Sequence, residues 1–169
     1  MLQIKFILDE KKIKKIINEN KQPTLIDYSG SLFFYTDKGS VFIGKTGEAV
    51  SISGYLLHAI WSLIASFREC LIDGKSKKHD LDELVSHELK LNGDLVEFIL
   101  IDKSKNIVMF SASFSKLEYF NALDDLTKNF FNELNKIDHS ILSSDDILIN
   151  IKYEQQKLVK VFKSTSGGK

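Results

Sequence analysis

The sequence predicts an α+β domain, a mainly antiparallel sheet in two hairpin or meander groups with about four helices packed on it. Three observations carry that class. Short apolar and aromatic runs follow one another without an intervening helix, an order that suits antiparallel rather than βαβ architecture. Asn92-Gly93 stands between two such runs, a strong hairpin signal because a type I′ turn needs positive φ at both central positions. Two longer stretches, around 54–73 and 115–137, instead repeat their apolar residues at steps of three and four.

Taken in order, Leu2, Ile4, Phe6 and Leu8 alternate and predict a strand. Asp9 then caps a short helix in which Ile13, Ile16 and Ile17 share a face and Lys11, Lys12, Lys14 and Lys15 meet water. That helix is over by Pro23, the single proline. Thr24–Tyr28 and Leu32–Thr36 read as strands parted by a Ser29-Gly30-Ser31 turn, and Asp37–Ser40 as a hairpin connection into Val41–Ile43. From about Gly54 to Asp73 the stripe Leu56, Leu57, Ile60, Trp61, Ile64, Phe67 and Leu71 is wide enough to bury most of a helix. Gly74 is its C-cap, and Lys75–Asp80 reads as a solvated loop. Val85–Leu91, Asp94–Ile101 and Ile107–Ala112 then form a meander, since such short connections cannot join parallel neighbours.

Ser115 and Glu118 make a capping box, opening a helix striped by Leu117, Phe120, Leu123, Leu126, Phe130, Leu134 and Ile137. A final helix starts near Ser143–Asp146 and carries Lys157, Lys160 and Lys163 late, as the macrodipole favours. Ile147, Ile149, Ile151 and Tyr153 also alternate, which leaves an initial strand open there.

The 169 residues suit a single domain, expected over 1–163 with 164–169 as a flexible tail. Lys plus Arg number 23 and Asp plus Glu 23, so the zero net charge removes the simplest argument for nucleic acid or an acidic membrane as partner. No apolar run approaches the roughly 20 residues of a membrane helix. No secretory pattern opens the sequence, and the expected compartment is the cytoplasm. One cysteine, Cys70, excludes an internal disulfide and any thiolate-cluster metal site.

Chemistry-bearing motifs are few. Gly39-Ser-Val-Phe-Ile-Gly-Lys-Thr46 fits a phosphate-loop pattern, with Phe98–Asp102 as its acidic strand. Val41–Ile43 is nevertheless bulky and β-preferring, no helix follows Thr46, and Asp102 belongs to an antiparallel meander, so a hairpin is the better reading. His79, Asp80, Asp82, Glu83, His87 and Glu88 are the one dense group of metal-ligating types, without the spacing of a zinc motif. His58 reads as a partnered or solvent-edge side chain, and Cys70 as a small packed one, lacking an activating base. No Gly-x-Ser-x-Gly elbow is present, and Phe33, Phe34 and Tyr35 lack the basic neighbours of an RNA platform.

Charge is unevenly spread. Between Lys78 and Ile149 lie 14 acidic and 7 basic residues, whereas both flanks are net basic. Asp80, Asp82, Glu83, Glu88, Asp94, Glu97, Asp124 and Asp125 are the candidate partner-binding residues of that block, suited to steering a basic partner. No catalytic residue, metal ligand or cofactor is expected.

The run from Gly54 to Ile137 combines a Trp-containing helix (Leu57, Trp61, Ile64), a hairpin at Asn92-Gly93-Asp94, a second hairpin, and a helix opened by Phe114-Ser115 and striped by Phe120, Leu123 and Leu126. In this organisation it resembles the small immunity proteins encoded beside bacterial polymorphic or contact-dependent growth-inhibition toxins. The resemblance implies a cytoplasmic, non-catalytic protein that binds one cognate toxin domain and occludes its active site or substrate path. Two alternatives come from other classes. One is a small metal-dependent enzyme using the His79–His87 region, the other an accessory or scaffold subunit.

Overall fold

The computed structural model describes residues 1–21, 23–24, 27–36, 52–81, 83–140 and 145–166. The expected hairpin at 37–43, the phosphate-loop match at 39–46, Asp82 and Ser143-Ser144 lie outside these described residues. Among the described residues no helix is long and apolar enough to cross a membrane.

Strand β1 (Gln3–Leu8) leads into helix α1 (Glu10–Asn18), where the Asp9 carboxylate accepts from the Lys12 amide at 3.2 Å and Ile13 points into the core. Strand β2 (Ser29–Tyr35) pairs antiparallel with β1, from Gln3 opposite Tyr35 to Leu8 opposite Gly30. Strand β3 (Ile52–Tyr55) pairs antiparallel with the other edge of β2, giving the order β1-β2-β3. Two expectations are corrected here. Thr24 and Asp27 are held in a turn, with the Thr24 amide and hydroxyl both donating to the Asp27 carboxylate. Ser29-Gly30-Ser31 is not a turn but the start of β2, because the close approach of β1 requires a residue without a side chain. A Cβ on Gly30 would lie 2.2 Å from the Ile7 carbonyl oxygen.

Helix α2 (Leu56–Asp73) ends at Gly74, whose φ of +67° is the left-handed cap expected of a glycine. Strands β4 (Lys77–Asp80), β5 (Val85–Asn92), β6 (Leu95–Asp102) and β7 (Ile107–Ser115) form the second sheet in that order, every pairing antiparallel. β4 replaces the expected solvated loop. Its sequence, Lys-Lys-His-Asp, has no apolar period, and it is held by backbone pairing to β5 as a charged edge strand. The hairpin after β5 also shifts by one residue. Asn92 pairs with Leu95, so the central residues are Gly93-Asp94, and positive φ falls on Gly93 alone, as a type II′ turn requires.

Helix α3 (Lys116–Ile137) opens with both arms of the Ser115–Glu118 capping box in place. Helix α4 (Asp146–Ser166) settles the open choice at 147–153. Leu148, Ile151, Leu158 and Phe162 are buried at helical steps, whereas Ile149 and Tyr153 of the alternating set face outward. α4 reaches three residues into the stretch that composition assigned to a tail.

α2 sits at the centre, packed against β2, β4, β5 and α4, with α3 laid across β1, β6 and β7. Phe34 of β2 and Phe98 of β6 meet at 5.0 Å between ring centroids, joining the two sheets through one core. Phe67 of α2 meets Tyr119 of α3 edge-on at 4.9 Å, and Phe120 stacks on Phe162 of α4 at 4.1 Å. Two residues of the expected stripes turn outward instead: Trp61 is 37% exposed and Leu117 57%.

Candidate functional site

Trp61 is where α2 leaves the core. Leu57, Ile60 and Ile64 point inward, and Trp61 emerges on the helix flank one turn after His58. The two rings lie nearly parallel at 6.1 Å. Trp61 also meets His79 of β4 at 6.5 Å, ring planes 60° apart. β4 is fixed to α2 by the Ser62 hydroxyl, which donates to the Asp80 carbonyl at 2.7 Å. His79 Nε2 lies 3.2 Å from the Glu69 carboxylate. Toward α4, Leu57, His58 and Trp61 face Ile147, Asn150 and Ile151 across a cleft of about 210 Å³. A half-exposed indole thus stands against two imidazoles, one of them paired with Glu69, beside a shallow apolar cleft.

The row continues inward. His79 and His87 are 6.1 Å apart, and His87 is fully buried against Phe98. Ser66 Oγ lies 2.7 Å from His87 Nε2 and donates to the Leu63 carbonyl at 3.1 Å. The serine has one proton, so His87 Nε2–H is the donor and Ser66 the acceptor. That is the reverse of a serine being activated by a general base. Burial, with His79 adding to it, pushes the His87 imidazole down to about 3, so it stays neutral. The pair is a clamp between α2 and β5. Cys70 is likewise a packed side chain: its thiol donates to the Leu89 carbonyl, and burial pushes it up to about 11.

Among the described residues, no three His, Cys, Asp or Glu side chains converge to hold a metal ion. Asp102 accepts from the Ser104 amide, the Ser104 hydroxyl and the Lys105 amide, so its carboxylate builds the β6–β7 turn.

The expected acidic residues fall in separate places. Asp80 and Glu83 are exposed, and Asp80 pairs with Lys103 at 2.9 Å. Glu88 and Glu97 are half-buried on β5 and β6, accepting from Ser76 at 2.6 Å and Ser111 at 3.3 Å. Asp94 is exposed in the Gly93-Asp94 turn. On α3, Asp124 binds Lys128 and accepts from Gln155 of α4 at 2.5 Å, whereas Asp125 points the other way, into a groove beside β1. Of this set only Asp80 lies on β4 next to His79, with its carboxylate drawn to Lys103. His58, Trp61 and Glu69 are the members of the Trp61 surface that the sequence did not mark as functional. A tryptophan one turn from a histidine was the available signal, hidden by the apolar stripe around it.

Compared with known proteins, the chain matches no family model, no curated protein and no solved structure.

Proposed function

We propose that the chain is a non-catalytic binding protein of the immunity type, which neutralises a cognate toxin domain in the cytoplasm by covering its active site or substrate path. The observation that carries the reading is Trp61, held half-exposed against His58 and His79, the latter paired with the Glu69 carboxylate. Tryptophan at the centre of a protein interface supplies much of the binding free energy, while acidic neighbours steer and orient a basic partner. The Ser66–His87 pair locks α2 to β5 out of reach of solvent.

Co-expression with the product of the neighbouring gene tests this reading. The expected result is co-purification and rescue of growth by the wild-type chain, with Trp61→Ala losing both. A neighbouring product that neither co-purifies with the wild-type chain nor harms growth without it overturns the proposal.

A further inference from the structure

A second surface, separate from Trp61, has the form of a strand-accepting groove. β1 is the outermost strand of its sheet: β2 pairs with one edge, and among the described residues no strand pairs with the other. Along that other edge runs a groove of about 530 Å³, one wall of which is Met1-Leu2-Gln3-Ile4-Lys5 without a gap. Side chains of a strand alternate between faces, so consecutive residues line a groove only where the strand presents its backbone edge. Leu2 and Ile4 turn into the core while Gln3 and Lys5 are exposed.

The facing wall is one stripe of α3, with Glu118, Asn121, Asp125 and Asn129 around Ala122. Asn121, Asp125 and Asn129 are exposed and make no side-chain hydrogen bond among the described residues. The cations nearby are already engaged: the Lys5 ammonium sits over the Tyr35 ring at 5.1 Å, the Met1 amine lies 3.6 Å from Glu118 within the groove, and Lys128, which Asp125 also attracts, binds Asp124. Asp125 is therefore the carboxylate left facing the groove, with an amide one turn to either side.

The geometry points to β-augmentation: an extended basic segment of a partner protein adds to the free edge of β1 and sets a Lys or Arg against Asp125 of α3. Main-chain hydrogen bonds to β1 supply an affinity largely independent of sequence, and the α3 wall selects the charge. A helix wall also distinguishes this edge from β4, a charged edge packed on α2 rather than beside an open polar stripe.

The probe is a fluorescein-labelled octapeptide of alternating Lys and Val, titrated into the full chain and followed by anisotropy. Alternating Glu–Val, and a Lys–Val peptide N-methylated at alternate residues, are the comparisons. The wild-type chain is expected to bind Lys–Val, and both N-methylation and Asp125→Lys to weaken binding by roughly tenfold or more. Asp125→Lys is expected to prefer Glu–Val. Amide exchange of the complex is expected to slow along Gln3–Leu8 and not along β4 or β7. Trp61→Ala should bind the peptide like wild type, so failure here and failure of the immunity reading are distinguishable. No binding by wild type, equal binding of the N-methylated peptide, indifference to Asp125→Lys, or β1 edges pairing in a dimer that excludes the peptide would each overturn the proposal.

Discussion

Tyr28 and Asp145, 117 residues apart in sequence, meet in the core, where the Tyr28 hydroxyl donates to Asp145 Oδ2 at 2.6 Å. The other oxygen of the same carboxylate caps α4, accepting from the Ile147 amide at 2.8 Å and the Leu148 amide at 3.3 Å. The Tyr28 carbonyl in turn accepts from the Leu56 amide at the start of α2. One tyrosine therefore ties the entry of β2 to the first turns of two helices. Burial and the Asp145 charge push its phenol far above the ordinary range, so it stays a donor. Tyr28→Phe should cost about 2 kcal/mol, the scale of a hydrogen bond to a charged group. Asp145→Ala should cost about 1 kcal/mol more, because the helix cap goes with it. Urea unfolding of both variants checks the order.

His87 makes stability depend on pH. In the unfolded chain the imidazole titrates near 6.5, whereas in the fold burial holds it at about 3. Below 6.5 the unfolded state takes up a proton that the native state refuses, so the native state loses stability as pH falls toward 3 and has it in full above 6.5. Between pH 7 and pH 5 the loss should be about 2 kcal/mol. His87→Leu keeps the Ser66–Leu63 bond and should flatten that slope. Equal wild-type stability at the two pH values, measured in urea, would contradict the assignment.

Gly30 and Gly93 separate two reasons for a glycine. At Gly30 the obstacle is space, since a Cβ meets both the Ile7 carbonyl oxygen at 2.2 Å and Leu56 Cδ2 at 3.1 Å. At Gly93 there is nothing within 4 Å, and the constraint is φ of +59°. Gly30→Ala should cost about 3 kcal/mol, because the clash is with backbone in a paired ladder. Gly93→Ala should cost about 1 kcal/mol, the conformational term alone. Thermal melts of the two variants should therefore be well resolved.

Local signals were legible wherever one short stretch decides the outcome. Asp9, Gly74 and the Ser115–Glu118 box set helix ends through side chains or φ values that belong to those few residues. The strands that were missed are set by partners distant in sequence. β4 exists because Lys77–Asp80 pairs with Ser86–Leu89, and Ser29-Gly30-Ser31 is strand because β1 and β3 flank it. The Trp61 surface was illegible for the same reason. His79, which pairs with Glu69 two turns further along α2, comes to the indole from β4, and periodicity alone placed Trp61 in the core. The acidic block was legible as composition but not as a surface, because Asp124 and Asp125, adjacent in sequence, face different elements across α3.

Trp61 and Phe67 share α2, and substituting each with alanine separates packing from recognition. Phe67 is fully buried against Tyr119 and Phe162, so Phe67→Ala should cost about 3–5 kcal/mol of stability. Trp61 keeps a third of its surface in solvent, and Trp61→Ala should cost only about 1–2 kcal/mol, since less area returns to water. Partner affinity should show the opposite order. Loss of the indole from an interface centre should weaken the complex by about 2 kcal/mol or more, roughly thirtyfold. Because Trp61 is the only tryptophan, its fluorescence reports the same contact directly. Docking of a partner should shift its emission to the blue and protect it from acrylamide. An emission spectrum unchanged in the complex would place the interface elsewhere.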